Sequence, residues 1–196
     1  MKNKGFTLIE LLIVITLLGI LAVAVLSAIN PIEQINRSKD TASQGDSEQL
    51  INAIERFYAT AGYYPWRTDP NDEDVDGSDG VTWTQVTAEA PTDGQIAMLT
   101  KLSSEGTGEI KESFATRIVQ STSNALWLYN KGTPGSSTYV CFEPKSQRFK
   151  TNAENRCGTT LPGTTFNFVE DVWAATPLDF PVAEACDGTE IYSCLP

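Results

Sequence analysis

The distribution of apolar and polar residues divides the chain into three stretches of different character. From Leu11 to Ile29 nineteen consecutive residues carry no charge, and only Thr16, Gly19 and Ser27 interrupt the hydrocarbon. Such a run is apolar on every side rather than along one stripe, which suits lipid or a helix bundle better than a water-facing surface. As a helix, Phe6 to Ile29 would reach ~36 Å, enough to cross the core of a bilayer. Lys2 and Lys4 precede the run, and the next basic residue is Arg37. That asymmetry predicts a cytoplasmic N-terminus, with the remainder carried across the membrane. An ordinary secretory signal stays open as the alternative, with Ala22-Val23-Ala24 as its cleavage site and a new N-terminus near Val25.

The pattern then becomes periodic. Asn30, Pro31 and Glu33 read as the N-cap, first and third positions of a new helix; a proline kink in one continuous helix is the equal alternative. Ile32, Ile35, Ala42, Leu50, Ile54 and Phe57 recur at roughly helical spacing among charged residues. Residues 31–62 are therefore expected to form an amphipathic helix with its apolar stripe on a sheet. Gly45 is its weak point, and Gly62 is the expected C-cap with Pro65 beyond.

Past residue 63 the apolar positions come in short clusters. Ile96 to Leu102, with Ile110 and Phe114, reads as a short helix and its continuation. Ala125 to Asn130 and Ser137 to Phe142 are rich in aromatic and β-favouring residues and are separated by Gly132, Pro134 and Gly135, the pattern of a hairpin. Gln147 to Lys150 is read as a third strand and Thr165 to Trp173 as a further candidate. The fold class this predicts is α+β: a long N-terminal helix, first hydrophobic and then amphipathic, packed on a small antiparallel sheet.

Composition narrows the chemistry. The chain has 14 basic and 25 acidic residues, no histidine and a net charge of −11. Direct nucleic-acid binding is not expected, because it needs a clustered basic face to displace counterions. The nearest thing to one is a local patch at Lys145, Arg148 and Lys150, read as a solvated strand end. The lack of histidine removes the commonest general base, the usual nucleophilic triads and most zinc sites. Asp171, Asp179, Asp187 and Glu190 have no spacing that distinguishes them from surface carboxylates. Trp66, Trp83, Trp127 and Trp173 read as packing residues, and there is no nucleotide motif. No catalytic residue is assigned, and the chain is not expected to be an enzyme.

Glu10 stands at the edge of the apolar run. A carboxylate inside a membrane costs a few kcal/mol on insertion scales and marks a function or a partner. Its surroundings, Lys4-Gly5-Phe6-Thr7-Leu8-Ile9-Glu10-Leu11-Leu12-Ile13-Val14-Ile15, closely resemble the class III signal of type IV pilins and type II secretion pseudopilins. The resemblance covers about 25 residues. It implies cleavage by a prepilin peptidase between Gly5 and Phe6, N-methylation of Phe6, and pairing of Glu10 with the terminal amine of a neighbouring subunit. Two such charges are individually expensive in a low-dielectric helix bundle, but together they fix register.

On this resemblance residues 1–5 are the leader and 6–30 the membrane and filament-core helix. Residues 31–62 are the amphipathic helix and 63–196 an α+β head. Loss of Lys2 and Lys4 with the leader takes the net charge from −11 to −13. The implied partners are further copies of the chain, other pilins, the peptidase, and an inner-membrane assembly platform with a separate ATPase. Two destinations follow: an extracellular type IV pilus-like filament, or a short periplasmic pseudopilus of type II secretion. Gly62-Tyr63-Tyr64-Pro65 resembles the Gly-x-Tyr-Pro turn of pseudopilins, while chain length and the two cysteine pairs lean toward a pilus. Where many pilins have a proline in this helix, the present chain has Ser27, and Pro31 comes one turn later. A membrane-anchored binding domain that never polymerises is a third reading.

Two features of the head complete the expectations. Residues 69–80 hold six acids and no base, and Asp72-x-Asp74-x-Asp76-Gly77 matches the first half of a calcium loop. The bidentate glutamate an EF-hand would place at position 83 is replaced by Trp83. Calcium is the candidate ion, and a solvated, self-repelling insertion is the alternative. Cys141, Cys157, Cys186 and Cys194 all follow the membrane segment, and four cysteines permit three pairings. Their spacing has no tight Cys-x-x-Cys pair, and an oxidising exterior favours disulfides over zinc or free thiols. The C-terminal disulfide loop of many pilins suggests Cys186–Cys194, with Cys141–Cys157 clamping the sheet.

Overall fold

The computed structural model describes residues 5–28, 30–67, 80–87, 98–103, 106–121, 124–132, 136–157, 185–186 and 191–196. The chain divides into two compact units, Met1–Ile35 and Asn36–Pro196.

In the first unit, helix α1 runs from Leu8 to Ala28. Its large side chains are exposed on all sides, from Leu8 at 83% to Leu26 at 70%. Leu8–Ser27 is long and apolar enough to cross a membrane. Its two hydroxyls are satisfied internally: Thr16 donates to the Ile13 carbonyl at 2.8 Å and Ser27 to the Ala24 carbonyl at 2.9 Å. A helix in lipid needs its polar groups closed in this way. Helix α2 runs from Pro31 to Ala61. The Asn30 side chain accepts the Glu33 N–H at 3.3 Å, so the expected cap is present and Pro31 occupies the first helical position.

The second unit begins where α2 first touches the head. Asn36 donates to the Lys145 carbonyl at 3.4 Å, and the buried Asp40 carboxylate accepts the backbone N–H groups of Lys145 and Ser146 at 2.9 and 2.7 Å. The buried stripe of α2 is Asp40, Ser43, Ser47, Leu50, Ile51, Ala53, Ile54 and Phe57. Its first half is thus small and polar rather than the apolar series expected: Ile32 and Ile35 are 68% and 57% exposed, and Ala42 is exposed as well. The helix ends at Gly62, whose φ of 79° is left-handed and whose N–H returns to the Tyr58 carbonyl at 2.8 Å. The turn beyond is held by rings, with Tyr64 stacked 4.5 Å from both Tyr58 and the fully buried Trp66.

Four antiparallel strands form one sheet in the order β1-β2-β3-β4: Val81–Gln85, Leu126–Asn130, Thr138–Phe142 and Ser193–Leu195. Alternation sorts the faces. Leu126, Leu128, Val140 and Phe142 join the α2 core with Leu50, Ile54 and Phe57. Trp127, Tyr129, Tyr139 and Cys141 join a second cluster with Ala185, Tyr192 and the remaining cysteines. Strand β3 is therefore buried on both faces. Two short helices, α3 (Met98–Leu102) and α4 (Glu112–Gln120), add Leu99, Leu102, Phe114 and Ile118 to the first core.

The expected hairpin is β2–β3. The expected third strand at Gln147 to Lys150 is instead the start of helix α5, Gln147–Cys157. Ser146 caps it, accepting the Phe149 N–H at 3.4 Å, and Asp40 holds Ser146 through its hydroxyl and N–H. A carboxylate at a helix N-terminus meets the positive end of the macrodipole and its free N–H groups. Thr165 to Trp173 lies outside the described residues.

The disulfide expectation is corrected. The bonds are Cys141–Cys194 and Cys157–Cys186, nested one inside the other, not Cys141–Cys157 and Cys186–Cys194. Register is the reason. Strand β4 adds to β3 so that Cys194 lies directly opposite Cys141. Cys157, the buried last residue of α5, is left to meet Cys186, their Cα atoms 5.7 Å apart.

Candidate processing and assembly site

The residues singled out at the N-terminus lie where the chain enters α1. Gly5, Phe6 and Thr7 are exposed and non-helical, and Phe6 is 86% exposed. The Gly5–Phe6 peptide bond is therefore in irregular chain before the first helical turn, the form in which a peptidase can bind backbone on both sides. A side chain at Gly5 would meet no atom within 4 Å. Among the described residues nothing requires glycine there.

Glu10 does more than occupy an apolar stretch. The Thr7 N–H and hydroxyl donate to Glu10 Oε2 at 2.9 and 2.8 Å, and the Glu10 N–H returns to Thr7 Oγ1 at 3.3 Å. This is a reciprocal capping box with Thr7 at the N-cap and Glu10 at the third helical position. The first intrahelical bond runs from the Leu11 N–H to the Thr7 carbonyl at 3.2 Å. The box closes donors that lipid could not satisfy and places the carboxylate at the positive end of the helix. The bonds to Thr7 use Oε2 alone, which leaves Oε1 outside the box. Thr7 is the functional residue that attention to Glu10 alone overlooks, although the pattern Thr-x-x-Glu before an apolar run is a legible signature.

The other candidates fall elsewhere. Asp72, Asp74 and Asp76 lie outside the described residues, as do Asp171, Asp179, Asp187, Glu190 and Trp173. Among the described residues no group of three His, Cys, Asp or Glu side chains is placed to hold a metal. Trp66 is core, and Trp83 and Trp127 stack 5.6 Å apart with Tyr192 edge-on to both. Lys145, Arg148 and Lys150 sit at the start of α5, with Arg148 and Lys150 exposed. A cleft lined by Leu99, Thr100, Ser103, Ala115 and Val119 opens between α3 and α4, with Glu112 also in its lining.

Comparison with known proteins bears on the first of these regions alone. Residues 1–26 match the family model of the prokaryotic N-terminal methylation motif, the class III signal of type IV pilin and pseudopilin precursors. No curated protein matches the chain. No solved structure matches it either.

Proposed function

We propose that this chain is a prepilin: a structural subunit cut after Gly5, N-methylated at Phe6, held in the membrane by α1 and polymerised into a type IV pilus-like filament. The observation that carries the reading is the methylation motif of residues 1–26 on an exposed, non-helical Gly5–Phe6 junction leading into α1. Cleavage would leave Thr7 and Glu10 intact, because their box lies wholly on the mature side of the cut. The new Phe6 amine would then start the chain, and Glu10 Oε1 would be the oxygen offered to the amine of a neighbouring copy. The work of polymerisation belongs to a separate ATPase on the assembly platform. The head, braced by two disulfides, would face outward.

A secretion pseudopilus is the second destination, favoured by the Gly62-Tyr63-Tyr64-Pro65 turn. One experiment addresses both: the N-terminus of the chain, read by mass spectrometry in material sheared from the surface of the native cell and in its envelope. Methylated Phe6 in the sheared fraction supports the pilus. The same cut chain confined to the envelope supports the pseudopilus. Uncut Met1 throughout defeats assembly and leaves a membrane-anchored domain, and an N-terminus near Val25 indicates ordinary signal cleavage.

A further inference from the structure

The two disulfides join cysteines that are far apart in sequence and leave unused the pairs that are near. Cys141–Cys194 and Cys157–Cys186 span 53 and 29 residues. Cys141 and Cys157 are only 16 residues apart, and Cys186 and Cys194 only 8. In an unfolded chain the chance that two points meet falls as roughly the −3/2 power of the loop length. Each short loop therefore closes about sixfold more readily than the native loop set against it, 16 residues against 53 and 8 against 29. Oxidation ahead of folding favours the wrong bonds.

The folded head shows why those bonds cannot be carried into it. Cys186 is bridged to Ile191, and the Tyr192 N–H donates to the Ala185 carbonyl at 3.0 Å. That register sets Cys186 opposite Ile191, three residues short of Cys194, while Cys194 lies opposite Cys141 on the β3–β4 ladder. A Cys186–Cys194 bond needs a different register and removes the native partner of both Cys141 and Cys157. All four cysteines are 7% exposed or less, so an outside thiolate has no access to them once the head has closed. Any exchange has to precede closure.

We infer that maturation of this head includes a thiol–disulfide exchange step, and that the partner it calls for is a protein dithiol with isomerase chemistry, acting after a disulfide donor. The step balances with no net oxidation or reduction. The catalyst thiolate attacks Cys141 Sγ of a Cys141–Cys157 bond, forming a mixed disulfide and releasing the Cys157 thiolate. That thiolate attacks Cys186 Sγ of a Cys186–Cys194 bond, forming Cys157–Cys186 and releasing the Cys194 thiolate. Cys194 then attacks Cys141 Sγ, forms Cys141–Cys194 and returns the catalyst as a thiolate. The inference rests on the bond pattern and not on the filament. Export from the N-terminus, under the function proposed above, would add to it by presenting Cys141 and Cys157 before the other two.

The test uses the full chain, reduced and unfolded in denaturant and then diluted into detergent micelles. It is oxidised by diamide alone, or by diamide followed by a mixture of reduced and oxidised glutathione standing in for the catalyst dithiol. Bonds are read by non-reducing peptide mapping with a protease that cuts at acidic residues, because no Lys or Arg follows Arg156. Diamide alone is expected to leave Cys141–Cys157 and Cys186–Cys194 peptides about sixfold or more above the native pairs. Glutathione should then convert them to Cys141–Cys194 and Cys157–Cys186. In the Cys157→Ser/Cys186→Ser variant only one bond is possible, so its yield of Cys141–Cys194 should be the same with and without glutathione. Native pairs as the main product of diamide alone overturn the inference, as do mispaired bonds that glutathione leaves in place. A variant whose yield rises with glutathione as much as the parent's overturns it too, because the thiol then rescues something other than pairing. Neither export nor polymerisation enters the test, so its failure leaves the proposed filament untouched.

Discussion

In the N-terminal helix the side-chain hydrogen bonds among the described residues close within one turn: Thr7 with Glu10, Thr16 with Ile13, Ser27 with Ala24. In the head the links that decide the structure are long in sequence. Asp40 reaches Ser146 across 106 residues, Arg117 reaches Asp46 across 71, and Cys141 reaches Cys194 across 53. The difference has a functional meaning. A helix whose polar groups are all satisfied locally can exchange lipid for other helices without breaking a bond of its own. A head tied by distant links must fold as a unit, and damage to one link is felt far from it. Substitutions should therefore act globally in the head and only locally in α1.

The largest effect is expected from the outer disulfide. Replacing Cys141 and Cys194 together by serine should cost roughly 2–5 kcal/mol, read as a lower melting temperature by near-ultraviolet dichroism in micelles. The helical signal of α1 should persist above that transition. The Cys157→Ser/Cys186→Ser pair should cost less, since it closes the shorter loop, 29 residues against 53. Non-reducing peptide mapping is the sharper check: a Cys186–Cys194 peptide would contradict the β3–β4 register.

Asp40→Ala comes next. It leaves the buried Ser146 N–H without its acceptor, while the half-buried Lys145 N–H can turn to water and the Ser146 hydroxyl can rotate, so the cost should be about 1–3 kcal/mol, that of one unsatisfied buried group. Asp40→Asn, which keeps one acceptor oxygen, should recover part of the loss in a urea titration. The helical signal of α5 should fall with Ala before global unfolding. If both variants unfold at the parent midpoint, Asp40 is not the brace between α2 and α5.

The same contrast explains what the sequence disclosed. Helix α1 needed only the run Leu11 to Ile29, because each residue there answers the same solvent independently. The caps at Asn30 and Gly62 were legible for a similar reason: their bonds reach only three or four residues. The β2–β3 hairpin was visible from its alternation and the Gly132 turn. Val81-Thr82-Trp83-Thr84-Gln85 has an alternating strand pattern of only five residues, directly after the acidic stretch 69–80. Helix α5 was not legible, because its start is set by a carboxylate 106 residues earlier. Nor was the cysteine pairing, which depends on a three-residue strand, β4, with no pattern of its own. The apolar spacing of α2 does not mark its buried face in the first half, where Ser43 and Ser47, rather than Ala42, are buried.

A smaller effect, and one confined to its own region, is expected at Thr7. Thr7→Ala removes the N-cap and should cost ~0.5–2 kcal/mol, seen as faster exchange of the amides at residues 8–11 in the membrane-embedded chain. The head should melt at the parent temperature. A head that shifts with Thr7 would join the two regions energetically and end the contrast drawn between them.

The smallest effect should come from a head link that is long in sequence yet exposed. Arg117 forks onto Asp46 at 2.6 and 2.8 Å, and its side chain is 56% exposed. Asp46 pushes the guanidinium pKa up, chiefly by hydrogen bonding, from a value that is already very high. A raised native pKa means the stabilisation is present below the unfolded value and is lost only as pH climbs past the native one. No change through this pair is therefore expected across the neutral range. Solvent and salt screening should hold the Asp46–Arg117 coupling in a double-mutant cycle below about 1 kcal/mol. Added salt should shrink it further. A coupling of several kcal/mol would mean that separation in sequence, rather than burial, sets the strength of a link in this head. The ranking of Asp40 above Arg117 would then have to be reversed.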